Sequence, residues 1–289
     1  MSNQLSGPSK LTWSNDDIEQ IIYGAGGRFT HVNSIRSGII AALLTAVFFG
    51  ILLLFDESPI VNMFTKRGYV PYTIVFLTSW ALVILFLKWR KLKYQQRLLE
   101  GDYRLISIDS DFVLAKGNVD DVVDRMYQLV DEPKHFVLFN RIHIALSNLK
   151  NIGRIADVDD ILRSQAENDE SVMETSYSLV SNFVWAIPVL GFIGTVLGLS
   201  SAIGGFGAVL QEDESLADIK AALQNVTGGL STAFETTLQA LVAALLIQLI
   251  LAFLKKGEQD FLDACSEYCV RHIVNRLRMT DTSPEIRDN

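Results

Sequence analysis

The longest uncharged stretch of this chain runs from Thr175 to Gln211 and separates Glu174 from Glu212. As a helix, about 37 residues with a rise of ~1.5 Å each extend roughly 55 Å, which exceeds the ~30 Å hydrocarbon core of a bilayer. The stretch is rich in Gly, Ala, Ser and Thr, which let helix backbones approach closely in a membrane. We therefore predict a membrane span with a helical extension at one or both ends, and with a close helix neighbour.

Hydropathy predicts four spans in the chain. Their approximate bounds are Ser37–Phe55, Gly68–Leu87, Leu179–Phe206 and Leu230–Leu254. The chain is 49% hydrophobic and 20% charged, a mixture that suits a multi-span membrane protein with a sizeable soluble part. The predicted fold class is thus an all-α membrane protein.

Basic residues predict the orientation of these spans. The second span is followed by Lys88, Arg90, Lys91, Lys93 and Arg97, and the fourth by Lys255 and Lys256, whereas the loop between the third and fourth spans is acidic. We expect the protein to lie in a bacterial inner membrane. The positive-inside rule then places both termini in the cytosol. Lys66 and Arg67, in the short outer loop, are a local exception. We interpret the Lys88–Arg97 segment as an anchor for lipid headgroups.

The predicted organisation has five parts. These are a cytosolic N-terminal segment (1–36), two spans (37–87), a cytosolic helical region (88–178), two further spans (179–254), and a cytosolic helix with a disordered tail after Thr280 (255–289). Apolar residues recur at helical spacing in the cytosolic parts: Val119, Val122, Val123, Met126, Leu129 and Val130, then Phe261, Leu262, Cys265, Cys269, Ile273 and Leu277. The third and fourth spans are therefore expected to continue into the cytosol as long helices.

The third span carries a strip of small residues. At ~100° per residue, an arc of roughly 80° holds Gly191, Thr195, Gly198, Ala202 and Gly205, with Gly194 and Pro188 beside it. Such a strip admits either a close helix partner within the chain, or an oligomer interface or pore wall. Pro188 permits a kink in the helix.

The fourth span is unusually polar. One face carries Ser231, Thr232, Glu235, Thr236 and Gln239, and Thr237 and Gln248 lie on nearly the opposite face. Polar groups in hydrocarbon need partners or water, so two polar faces favour an oligomer with a lumen. Glu235 is the only acid within this span. It is interpreted as part of an ion path, as an acid solvated near the outer interface, or as one paired with a neighbouring subunit.

Several functional classes are disfavoured. A net charge of -8 argues against nucleic-acid binding. Cys265 and Cys269 predict neither a disulfide nor a metal site, and no nucleophile–base–acid arrangement is visible. We expect no cofactor and no enzymatic activity.

Two motifs occupy the last two spans. The first reads Pro188-Val-Leu-Gly-Phe-Ile-Gly-Thr-Val-Leu-Gly198, and the second is the segment from Gly229 to Ala244. The first resembles the signature P-x-L-G-x-x-G-T-V-x-G of the MotA/TolQ/ExbB family of proton-channel motor subunits, and the second is similar to that family's second signature, which surrounds a threonine. With the connecting loop, the resemblance covers about the last 120 residues. Four spans and a cytosolic N-terminus look more like MotA, whereas the third-span motif is closer to TolQ and ExbB.

The resemblance implies a pentamer around two copies of a single-span partner of the MotB/TolR/ExbD type. An aspartate in the partner's span would carry the proton, and threonines of the large subunit, here Thr195 and Thr237, would line its path. The driving ion would be the proton, or alternatively sodium, and its flow would produce mechanical work. Two other classes remain open on the residues alone: a secondary transporter for a small solute, and a passive membrane scaffold.

Overall fold

The computed structural model describes residues 12, 13, 19, 29–55, 58–99, 118–152, 155–209 and 216–277. The tail predicted to be disordered after Thr280 lies outside these residues, as does most of segment 1–36. The longer helices are α1 (Ser34–Leu52), α2 (Pro59–Thr65), α3 (Val70–Gln96), α4 (Val119–Leu129), α5 (Val137–Ile152), α6 (Ile155–Val209) and α7 (Leu216–His272). Within the described residues, four helical segments are long and apolar enough to cross a membrane: Ser34–Leu52, Val70–Leu99, Asp157–Gly205 and Ile219–Arg276. The chain is therefore a helical membrane protein, as predicted.

The chain forms two compact units. The first comprises residues 1–32, 87–176 and 255–289, and the second comprises residues 33–86 and 177–254. Helices α3, α6 and α7 each contribute one part to each unit. The long continuous helices predicted for the last two spans are confirmed: α6 has 55 residues and α7 has 57. Pro188 lies inside α6 without ending it.

Helix α2 is absent from the sequence-based prediction. Ser58 precedes it, and Pro59 occupies its first turn. Backbone N–H groups in the first turn have no acceptor within the helix, so the missing N–H of proline costs nothing there. Gly68, between α2 and α3, has a φ of 76°, a left-handed conformation that suits glycine. Seven helical residues therefore fold where a simple loop was expected between the first two spans.

Asn33 explains why α1 begins before the predicted start of the first span. Its side chain accepts hydrogen bonds from the backbone N–H groups of Ile35 and Arg36, which caps the helix. The indole N–H of Trp80 in α3 donates to the Ser34 carbonyl and to the Ser37 hydroxyl, each at 3.1 Å. These bonds fix α1 against α3.

The first unit contains buried ion pairs. Lys88 pairs with Glu258 at 3.2 Å, and Lys91 pairs with Glu19 at 2.5 Å. Both lysines are 1% exposed. The interpretation of Lys88 and Lys91 as headgroup anchors is therefore wrong, because a buried carboxylate faces each ammonium group and the pairs form inside the protein.

The predicted apolar stripes of this unit are buried in large part. Around α4, Val119, Val122, Met126 and Val130 are buried, whereas Val123 and Leu129 are half-buried. In and just after α7 the whole stripe is buried: Phe261, Leu262, Cys265, Cys269, Ile273 and Leu277. A third ion pair, Arg141–Asp169 at 2.6 Å, lies among them, and the Arg141 guanidinium also donates to Ser266 in α7. Helices α5, α6 and α7 are thus joined by polar contacts as well as apolar ones.

Candidate functional site

The second unit is centred on the contact between α6 and α7, which run antiparallel. A Cβ atom added to Gly191 would lie 2.6 Å from the Ala240 Cβ, and one added to Gly198 would lie 2.5 Å from the Gly229 carbonyl oxygen. Gly194 faces the Thr236 side chain at similarly close range. Only glycine fits at such positions, because any side chain would separate the helices.

The strip of small residues therefore packs within the chain. Ala202 is 4% exposed and lies against Gly229, and Gly205 lies beside Asn225. Of the two interpretations left open by the sequence, the structure places Gly191, Gly194, Gly198 and Ala202 in the intrachain helix contact.

The contact residues define two faces of the α6–α7 pair. A residue one position after a contact residue lies to one side of its helix, and a residue one position before lies to the other side. Because the helices are antiparallel, the same displacement on both puts side chains on the same side of the pair. Thr195 follows Gly194 and Thr237 follows Thr236, so both lie on what we call the threonine face. Glu235 precedes Thr236, and Gln239 precedes Ala240, so these lie on the opposite side, the loop face.

The loop face is covered by the segment that joins α1 to α3. The Arg67 guanidinium binds both carboxylate oxygens of Glu235, at 2.7 and 2.9 Å, and donates to the Ser231 hydroxyl at 2.8 Å. The Gln239 amide donates to the Met63 carbonyl in α2 at 2.8 Å. One polar face of the fourth span thus finds partners within its own chain, and the expectation that it needs a neighbouring subunit no longer follows.

A cavity of about 620 Å³ lies on the loop face, at the end of the unit near Gly68. Its wall includes Leu197 and Ser201 of α6, each one position before a contact residue, and Gly228 and Thr232 of α7. Lys66 and Arg67 contribute positive charge, and the amides of Gln224 and Asn225 add polar groups. Thr232 also donates to the Gly228 carbonyl.

The threonine face is open in the isolated chain. The residues that follow the contact positions on this face are large, apolar and exposed: Leu199, Ile203, Leu230, Phe234 and Leu241. Thr195 and Thr237 are half-buried among them. The Thr237 hydroxyl lies 3.2 Å from the Gly191 carbonyl in α6, and the Thr195 hydroxyl donates to the Phe192 carbonyl in its own helix. Both oxygens keep lone pairs that can accept a further hydrogen bond.

The predicted site residues thus fall into three groups. Thr195 and Thr237 share the threonine face, and Pro188, one position after the buried Ile187, shares it too. Thr236 is fully buried in the helix contact. Thr232, Glu235 and Gln239 are on the loop face. Sequence reasoning missed the role of Arg67, although a signal was present: an outer-loop cation that breaks the positive-inside pattern, and a single acid in an apolar span.

Among the residues that the structure describes, no three His, Cys, Asp or Glu side chains are grouped as a metal site would require. Cys265 and Cys269 are free thiols, 0% and 2% exposed.

Comparison with known proteins bears on this site directly. The sequence model of the MotA/TolQ/ExbB proton channel family matches residues 137–266, slightly less than half of the 289-residue chain, and this range includes the whole α6–α7 contact. We found no significant match among curated proteins or solved structures. The family match supports the resemblance carried by the two motifs: the segment with the candidate site is similar to the MotA/TolQ/ExbB proton channel family.

Proposed function

We propose that this protein is the large, non-enzymatic subunit of an ion-driven motor in a bacterial inner membrane. Several copies, five by analogy with the family, surround a single-span partner whose membrane aspartate carries a proton. Proton flow down its gradient then drives rotation or other mechanical work. The observation that carries the proposal is the threonine face: two hydroxyls lie on one open side of a tightly packed helix pair.

The position of the hydroxyls supports this role. Thr195 lies 16 residues after the predicted cytosolic start of its span, and Thr237 lies seven residues after the predicted outer start of its own. Each is well inside its span, where a polar group needs water or a hydrogen-bond partner. A hydroxyl can hold water or accept a hydrogen bond from a carboxylic acid, but it does not titrate near neutral pH. The titrating group is therefore assigned to the partner.

Glu235 is not the proton carrier in this account. Its carboxylate is held by Arg67 and Ser231 on the loop face, on the other side of the helix pair from Thr237. Both carboxylate oxygens are engaged by the Arg67 guanidinium, so neither is positioned to pass a proton toward the threonine face. We assign Glu235 to fastening the outer loop.

The proposed orientation places both termini and the first unit in the cytosol. The segment 53–69 and the loop between α6 and α7 then face the periplasm. The basic residues that follow the second and fourth spans support this arrangement. Exposed apolar side chains on the second unit would contact lipid and neighbouring subunits.

A secondary transporter for a small solute is the second candidate, because the cavity on the loop face has a polar wall and a suitable volume. Uptake of solutes by vesicles that contain this protein alone tests that alternative. The motor account predicts no uptake under these conditions.

The proposed assembly is tested by purification of the protein from its native membrane in mild detergent, followed by native mass spectrometry. The account predicts several copies of this chain together with a small single-span protein that has an aspartate in its span. A monodisperse monomer without a partner would contradict it.

A further inference from the structure

The threonine face carries a second layer of polar side chains. Ser181 follows Val180, and Gln248 follows Ile247; Val180 and Ile247 are 0% exposed. Both buried residues continue the stripe along which α6 and α7 contact each other, because they lie at helical spacing from Ile187 and Ala240. Ser181 and Gln248 therefore lie on the same side of the pair as Thr195 and Thr237.

The two side chains also share one depth. Gly191 and Ala240 are in contact across the pair. Ser181 is ten residues before Gly191 and Gln248 is eight residues after Ala240, which correspond to about 15 and 12 Å along antiparallel helices. Gln248 is eleven residues after Thr237, or about 16 Å farther along and only about 20° away in rotation. The polar layer thus lies near the end of the unit formed by Tyr177 and Leu254.

Neither side chain has a protein partner in the part of the chain that the structure describes. Both are exposed. The surrounding positions of α7 are apolar and exposed: Leu245, Leu246 and Leu249. An amide that faced only hydrocarbon would lose its hydrogen bonds with water without replacement. Water or another polar group must therefore meet Gln248 at this depth.

We propose that Ser181 and Gln248 line a water-filled opening on the threonine face, through which the ion passes from Thr195 and Thr237 toward the cytosol. This inference rests on the proposed function, since it extends the same face by one layer. In a ring whose lumen is formed by this face, the amides of all copies converge at one level. Gln248 then accepts hydrogen bonds from water and donates to it, which keeps the opening hydrated.

Accessibility to a charged thiol reagent tests the proposal. In a background with Cys265→Ala and Cys269→Ala, single cysteines are placed by Gln248→Cys, Thr237→Cys and Leu249→Cys. A thiol reacts as its thiolate, which forms only where water is present. The complex, still in native membranes as inverted vesicles, is treated with a membrane-impermeant methanethiosulfonate. Leu249 is the matched control, because it neighbours Gln248 in depth but lies on another face.

We expect Gln248→Cys to react at least about tenfold faster than Leu249→Cys. Equal, slow rates at these two positions, with Thr237→Cys reactive, would overturn the proposal and leave the proposed function intact. Slow reaction at all three positions, in a complex that lacks a partner, would overturn both. Gln248→Leu gives a second readout, since it is expected to lower the ion flux with assembly preserved. Gln248→Asn keeps an amide at this position and is expected to retain the flux. Unchanged flux in Gln248→Leu would also overturn the proposal.

Discussion

Arg67 and Glu235 lie 168 positions apart in sequence and form an ion pair in which two guanidinium nitrogens bind two carboxylate oxygens. This pair joins the segment between α1 and α3 to helix α7 and leaves the threonine face free. The pair also explains two unusual features of the sequence. Arg67 departs from the positive-inside pattern, Glu235 is the single acid of the fourth span, and the two charges neutralise each other.

The first prediction concerns this ion pair. Arg67→Glu and Glu235→Arg each place like charges together, and each is expected to destabilise the protein by roughly 1–2 kcal/mol, because the pair is partly buried and bidentate. The double variant restores the attraction and recovers most of the loss. Thermal unfolding in detergent measures all three.

Lys66→Glu provides the matched control for the charge swap. Lys66 adjoins Arg67 but is exposed, so its reversal is expected to change the melting temperature little. If the stability losses of Arg67→Glu and Glu235→Arg simply add in the double variant, with no recovery, the assigned contact is contradicted.

The second prediction concerns the helix contact. Gly198→Ala inserts a methyl group about where the Gly229 carbonyl oxygen lies, so α6 and α7 must separate. We expect loss of stable folded protein, or destabilisation of about 1–3 kcal/mol. Fluorescence-detected size exclusion after heating measures the loss.

Gly204→Ala is the control for this substitution. No atom lies within 4 Å of a Cβ added at Gly204, in the same helix. Since alanine favours helix over glycine, this variant is expected to be neutral or slightly more stable. Equal damage from both substitutions would argue against close packing at Gly198.

The third prediction concerns the buried pair of the first unit. Lys88→Met leaves the Glu258 carboxylate buried without its ammonium partner, and a loss of about 3–5 kcal/mol is expected. Lys88→Met combined with Glu258→Met replaces both charges by apolar groups and recovers much of this loss. Chemical unfolding in detergent followed by tryptophan fluorescence measures the change.

Lys255→Met tests whether burial of the ion pair causes the loss of stability expected for Lys88→Met. Lys255 is 47% exposed in its pair with Glu174, so its removal is expected to cost less than about 1 kcal/mol. A similar loss for Lys88→Met and Lys255→Met would show that Lys88 is solvated and available to lipid headgroups.

The spans and long helices were predictable because they depend on local composition and period. Uncharged stretches identify the spans, and the stripe that contains Cys265 and Cys269 identifies the extension of α7. The resemblance of the Pro188–Gly198 motif gave the family that the comparison then supported. These signals lie in one segment of sequence at a time.

Contacts between distant segments were not predictable in the same way. Nothing local shows that Lys88 faces Glu258 or that Arg67 reaches Glu235, because both depend on how helices far apart in sequence pack. The wheel of the fourth span separated Glu235 and Gln239 from Thr237 and Gln248, but it put Thr236 on the first face, whereas Thr236 lies in the helix contact. Which face the chain itself covers depends on the position of α2. That helix was missed because seven residues are too few to show a helical period in the sequence.

The central claim is that the Thr195 and Thr237 hydroxyls line the ion route. Proton entry into cells that express the complete complex, followed with a cytosolic pH-sensitive fluorescent protein, tests it most directly. Thr45→Val is the matched control, since Thr45 is also a half-buried threonine of a predicted span whose hydroxyl bonds its own helix at 2.8 Å. The account predicts that Thr195→Val and Thr237→Val abolish entry with assembly intact, whereas Thr45→Val leaves it unchanged. Undiminished entry in both variants would contradict it.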